Sequence, residues 1–232
     1  MYRLPQKLAA EFFGTFGFIL IASGSICADQ YLRASNQIAL GAVGIAMAQG
    51  LAYAVAVSSI GHISGGHLNP AVTVACWVTR RIGTLTTIFY CVAQLVGSIA
   101  AAYLLTAIIP DSVWRPIALG APSLSRDFGR LHGMILEAAL TACFVFVFFA
   151  TNIDPKGALS RFGGFASGLT ISAAVIVGYA FTGAALNPAR SFGPALAAAH
   201  WQNQGIYWVG PLVGAIIAAV FYARCFLTNP QP

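Results

Sequence analysis

The chain has 232 residues, of which 58% are hydrophobic and only 8% charged, with six acids against twelve bases and a net charge of +6; its mean hydropathy is +0.78. A water-soluble body carries about a quarter charged residues, so most of this surface expects lipid as its solvent. A soluble enzyme, a disordered tail and a nucleic-acid module are excluded, the last because the positive charge is spread thinly, with no basic run to grip phosphates.

A bilayer core takes about twenty apolar residues of helix, and open strands would leave backbone groups that lipid cannot satisfy. Six segments qualify: residues 8–28, 38–60, 84–109, 132–151, 162–181 and 206–227. The first follows a basic flank, as a signal peptide would, but the five similar segments after it make it a first span. Between these lie two shorter apolar pieces, residues 70–78 and 188–199, too short to cross and read as half-helices. Five cysteines, Cys27, Cys76, Cys91, Cys143 and Cys225, have neither disulfide nor zinc spacing. No metal site, cofactor or nucleic-acid partner is expected, and no nucleophile suggests an enzyme.

Basic residues set the orientation. Arg3, Lys7, Arg80, Arg81, Lys156, Arg161 and Arg224 fall on one side, against Arg33, Arg115, Arg126 and Arg130 on the other; the majority side reads as cytoplasmic, with both termini there. The expected setting is an integral protein of the plasma (inner) membrane.

An internal repeat is written into the chain. Glu11 and Thr15 recur as Glu137 and Thr141, 126 residues later; Asn69-Pro70-Ala71 recurs as Asn187-Pro188-Ala189, 118 later; Leu95-Val96-Gly97 recurs as Leu212-Val213-Gly214, 117 later. Three spans and one half-helix therefore repeat, over 1–115 and 125–232 of a single domain, 1–232. Three crossings per unit is odd, so the second unit enters the membrane upside down.

Asn is a favoured N-cap and Pro a favoured first helical residue, so Asn69 and Asn187 cap the two half-helices. In an inverted repeat these enter from opposite faces and meet near the midplane. Each start carries about half a positive charge from its peptide dipoles, besides the amide donors of its cap. Such a pair repels cations and offers donors to a neutral oxygen. A single Asn-Pro is usually only a cap and turn; two copies at equivalent repeat positions, each ahead of a span too short to cross, favour the functional reading.

The Gly-rich stretches before the caps, 61–68 and 182–186, are non-helical backbone at membrane depth. That is tolerated where a water-filled cavity solvates it, so the carbonyls of Gly65, Gly66, His67, Gly183 and Ala185 are expected to line a pore. His62 and His67 read as packing within the loop rather than as a proton relay or metal ligands, since no further ligand accompanies them. Arg190 stands on the first turn of the second half-helix, where the first copy has Val72; a fixed cation at one mouth is the sharper reading, because burying a lone Arg costs about 2.5–3.5 kcal/mol. Glu11 and Glu137 are either proton-coupling carboxylates or acceptors for the re-entrant loops, and their duplication favours the second. Gly97 and Gly214 read as close-contact points between helices.

Two Asn-Pro-Ala motifs in inverted repeats, GHISGGHLNPAV and FTGAALNPARS, with the paired Glu-x-x-x-Thr, resemble the aquaporin (major intrinsic protein) family over the whole chain. The resemblance implies an all-α membrane protein of six transmembrane helices plus two re-entrant half-helices around a passive pore, assembled as a homotetramer. It places Asn69, Pro70, Ala71, Asn187, Pro188 and Ala189 at the central constriction and Arg190 in the outer filter. Glycerol channels of the family have Asp after the second motif and Lys four residues on; Ser191 and Ala195 here, with Tyr207-Trp208, resemble the water-channel branch. The resemblance implies that the rest of the filter lies twenty residues before the first motif Asn, twelve before the second and in the second loop, which here are Gln49, Val175 and Ala184; with Arg190 this set resembles plant tonoplast aquaporins rather than strict water channels, which have Phe and His at the first two positions. The resemblance therefore implies water plus small neutral solutes such as ammonia, urea or hydrogen peroxide. A solute facilitator of the glycerol or urea type and a proton-coupled transporter are the alternatives.

Overall fold

The computed structural model describes residues 2–157 and 162–227. In chain order these form α1 (Leu4–Ala34), α2 (Gly41–Ser64), the half-helix α3 (Pro70–Val78), α4 (Thr84–Ile108), a short α5 (Asp111–Trp114) leading into a 3-10 turn (Arg115–Gly120), α6 (Arg130–Phe148) with a π turn at its end (Phe149–Ile153), α7 (Gly163–Thr182), the half-helix α8 (Pro188–Ala197) and α9 (Ile206–Cys225). Six of these helices are long and apolar enough to cross a membrane. The chain is an all-helical inverted repeat of six spans and two half-helices. Arg161, one of the basic residues assigned to the inner side, lies outside the described residues.

Helix ends follow local chemistry. The first span extends further than apolar content alone indicates, by about one turn at its start and nearly two at its end; α2 begins only at Gly41 but runs on through Gly61–Ser64, and α7 includes Thr182, so the stretches expected to be non-helical over 61–68 and 182–186 leave the helix only at Gly65 and Gly183. Both α2 and α7 stop at a glycine in the left-handed region, Gly65 at φ 97° and Gly183 at φ 79°, the usual way of ending a helix without a Cβ penalty. The chain then doubles back as extended loop. Each half-helix begins on an extended Asn followed by Pro.

Within each repeat the first span packs on the third, α1 on α4 and α6 on α9, and α2 packs on α7 across the two repeats. Glycines permit the first two contacts: a Cβ on Gly97 would fall 2.4 Å from the Phe12 carbonyl oxygen, and one on Gly214 2.0 Å from that of Ala138. Small residues thus bring membrane helices to backbone contact. Each half-helix rests on the other repeat, α3 against α9 and α8 against α4, so neither can settle without both halves. Phe18, Tyr53, Phe144, Phe148, Val175 and Leu186 belong to one buried cluster drawn from both repeats. The outside is apolar as well, with Phe13, Ile38, Val55, Leu85 and Ile217 exposed, a surface whose partner is lipid.

Candidate functional site

The two caps are tied to each other's loops across the repeat boundary. Asn69 Oδ1 accepts the Ala71 N–H at 2.8 Å, and Asn187 Oδ1 accepts those of Ala189 at 2.9 Å and Arg190 at 3.4 Å. Each Nδ2 then reaches across the repeat boundary: Asn69 donates to the Leu186 carbonyl at 2.9 Å, Asn187 to the Leu68 carbonyl at 2.8 Å. Those carbonyls are aimed by matched left-handed residues, Leu68 at φ 51° and Leu186 at φ 54°. An amide has two N–H hydrogens, so each cap keeps one beyond these bonds. Pro70, Ala71, Pro188 and Ala189 are buried behind the caps.

Two buried carboxylates carry the loops that lead to the caps. Glu11 accepts from the Ser64 hydroxyl at 2.6 Å, the backbone N–H groups of His67 at 3.0 Å and Leu68 at 2.8 Å, and Gln94 Nε2 at 2.7 Å. Glu137 accepts from the Thr182 hydroxyl at 2.7 Å and the N–H groups of Ala185 at 3.0 Å and Leu186 at 2.8 Å. Every neighbour is a donor, which an acceptor-only carboxylate complements. With the loop N–H groups turned onto the glutamates, the loop carbonyls are left for other partners. The His67 carbonyl accepts from the Tyr53 hydroxyl at 2.8 Å, and the carbonyls that end the preceding helices accept likewise, Ser64 from Tyr90 at 3.0 Å and Thr182 from Tyr207 at 2.9 Å. The His67 ring lies 3.2 Å from Thr73 Oγ1 and edge-on to Tyr90 and Phe148, as packing demands. His62 sits on the last turn of α2, edge-on to Tyr2.

Tyr90 and Tyr207 stand 117 residues apart, the spacing of Gly97 and Gly214, and that periodicity was the one signal by which sequence could have paired them. Replacing Tyr207 by Phe should cost about 1 kcal/mol, the net worth of one hydrogen bond. In a chain of this size that lowers the melting midpoint by about 2–4 °C. A thermal melt of the purified protein checks this, and water flux should persist; a midpoint unchanged in the variant would show that the hydroxyl is not a support.

Arg190 is 1% exposed, with Nη1 donating to the Gly120 carbonyl at 2.7 Å and Nε without a protein partner. Gln49, on α2, is equally buried, and its Nε2 also lacks a partner. The α2–α7 seam is tight beside it, Ser172 donating to the Ala46 carbonyl at 3.0 Å. Val175 follows one turn along α7 and shares a buried cluster with Ala184. A Cβ on Gly178 would fall 3.0 Å from that of Ala184, so α7 and the second loop touch at this level. The Gly120 carbonyl had no signature in the sequence, being backbone.

The family model described as major intrinsic protein matches residues 2–222. The probable aquaporin TIP3-2 of Arabidopsis thaliana is 41% identical over 220 residues, 92% of this chain and 80% of that protein. Aquaporin-4 of Mus musculus is 36% identical over 226 residues, 97% and 69% of the two chains. Among solved structures, the aquaglyceroporin from Plasmodium falciparum superposes with a TM-score of 0.85 at 21% identity, covering 97% of this chain and 98% of that one, a likeness of fold.

Proposed function

The chain belongs to the major intrinsic protein family and is a membrane channel for water, and from that premise we propose that its pore also admits small neutral solutes, among them ammonia, hydrogen peroxide and urea, while excluding protons and other ions. The observation that carries the exclusion is the crossed pair of caps, Asn69 to Leu186 and Asn187 to Leu68. A central water that accepts from the two remaining amide hydrogens has its own hydrogens turned outwards in both directions, so no one-way proton wire forms. The facing positive helix ends add an electrostatic barrier. The unpartnered donors of Arg190 and Gln49 support a filter, formed with Val175 and Ala184, that serves any small solute bearing an oxygen or nitrogen acceptor. Gly65, Gly66, His67, Gly183 and Ala185 supply backbone on either side of the caps.

The proposed assembly is a homotetramer with one pore per subunit. Each subunit is a single domain of two repeats, 1–115 and 125–232, with both termini cytoplasmic in the plasma (inner) membrane. Chemical cross-linking checks the first, and fractionation of the source cells the last. The function is tested in proteoliposomes by stopped-flow light scattering, first with sucrose and then with urea as osmolyte, and with a pH-sensitive dye inside. We expect fast water flux, urea entry that rises linearly with its gradient, and no collapse of an imposed pH gradient. A proton current to match the water flux would sink the midplane reading. Saturable flux driven by a pH gradient would replace the channel with a proton-coupled transporter, and urea or glycerol flux without water flux would replace it with a facilitator.

A further inference from the structure

Arg190 is held by a piece of chain with an improbable backbone. The 3-10 turn Arg115–Gly120 ends in three consecutive left-handed residues, Ala118 at φ 47°, Leu119 at φ 56° and Gly120 at φ 72°. Glycine adopts this region freely, whereas Ala and Leu crowd their Cβ against the following carbonyl. Such strain persists only where surrounding structure over-determines it. Here the surroundings are visible: Leu119 is 0% exposed, in a small cluster with Cys27, Ala102, Leu105, Val113 and Trp114 from α1, α4 and α5. Gly120 is pressed against α1, where a Cβ would fall 2.9 Å from Ile26 Cδ1. Downstream the loop is tied to the second repeat: the Ser125 N–H donates to the Phe181 carbonyl at 2.8 Å, and the Ser123 hydroxyl and His200 Nε2 share a hydrogen bond at 2.8 Å.

We propose that Leu119 is a positioning residue for selectivity: by filling the cluster at the outer end of α1 and α4, it locks the left-handed turn that aims the Gly120 carbonyl at Arg190, and so sets how far the guanidinium reaches into the filter. The Gly120 carbonyl is the one protein acceptor of the Arg190 side chain among the described residues. Leu119 touches no solute. Its side chain enters an apolar cluster apart from the main core, so packing on the rim of the fold is coupled to the width of the pore.

This inference rests on Arg190 lining the filter, and the experiment separates the two. The urea-to-water permeability ratio is measured in proteoliposomes for the wild type, Leu119→Ala, Leu119→Ile, Leu119→Met, Arg190→Val and the double variant Leu119→Ala with Arg190→Val, with thermal melts alongside. Leu119→Met keeps volume and an unbranched Cβ, so its ratio should match the wild type. Leu119→Ile keeps volume but is β-branched, a poor fit to φ above zero, so it should shift the ratio in the same direction as Leu119→Ala. Both should move it by at least about threefold towards the Arg190→Val value, the scale of coupling between residues that share a partner. In the Arg190→Val background, Leu119→Ala should add no further change. If Arg190→Val leaves the ratio alone, the filter assignment fails. If Arg190→Val shifts it and Leu119→Ala does not, or if Leu119→Ala acts equally without Arg190, the positioning role is overturned. A fall in water and urea flux in step with folded yield, at a constant ratio, would overturn it too.

Discussion

Replacing Glu137 by Ala should remove most of the folded protein, and with it all flux, rather than leave a folded but uncoupled channel. The carboxylate satisfies three buried donors, the Thr182 hydroxyl and the N–H groups of Ala185 and Leu186. Each donor left unsatisfied costs about 1–3 kcal/mol, and the sum competes with a whole stability of about 5–15 kcal/mol. The local consequence is equally specific: the Leu186 carbonyl that receives Asn69 Nδ2 belongs to the same loop, so losing its support slackens the first repeat's cap as well. Glu137→Gln should rescue little. An amide keeps one acceptor oxygen but sets an NH₂ against a shell made only of donors. Glu11→Ala should behave alike, with the Ser64 hydroxyl and the His67 and Leu68 N–H groups orphaned, while Gln94 Nε2 keeps only its bond to Thr73 Oγ1 at 2.9 Å. The measurement is the yield of monodisperse protein and its melting midpoint. Normal folding of either alanine variant, with loss of a response to a proton gradient that drives the wild type, would establish coupling carboxylates instead.

How far the site could be read in the sequence follows from what kind of atom carries each part. Asn69, Asn187, Glu11, Glu137 and Arg190 announce themselves, because a polar or charged side chain inside a 58% hydrophobic chain demands an explanation. The repeat supplies it by showing each in its counterpart's place, except Arg190. The half-helices were legible from length, since the short apolar pieces 70–78 and 188–199 cannot cross a bilayer, although the second helix ends at Ala197 rather than 199. The carbonyls that matter, Leu68, Leu186 and Gly120, were not legible as acceptors, because backbone has no letter of its own. Nor was the turn at Ala118 and Leu119, whose left-handed conformation runs against local preference and follows from the burial of Leu119. A four-residue helix such as α5 has no period to detect. Tyr53 read as one more apolar residue in a span, and only the fold brings its hydroxyl to the His67 carbonyl, 14 positions along the chain.

The filter offers the other large effect. Gln49 on α2 and Val175 on α7 flank a tight seam between those helices, and Ala184 and Arg190 face them from the second re-entrant segment by the proposed arrangement. Exchanging Gln49 for Phe adds an aromatic wall, and exchanging Val175 for His adds both bulk and a donor. A single file of water needs only one molecule's diameter, so the narrowing should leave water flux within a few-fold of wild type. Urea is wider, and a pocket that excludes by size discriminates by about tenfold or more for a group as small as a methylene. The double variant Gln49→Phe with Val175→His should therefore cut urea permeability by at least about that factor while retaining the melting midpoint to within a few degrees. Stopped-flow traces with sucrose and with urea on the same vesicles give the two permeabilities and their ratio. If that ratio is the same for wild type and variant, either these side chains do not line the narrowest point or width is not what selects there. Should the ratio fall as far through Val175→His alone, the change on α7, bulk and donor together, is the discriminating element, because the aromatic wall on α2 would then have no part in choosing the solute.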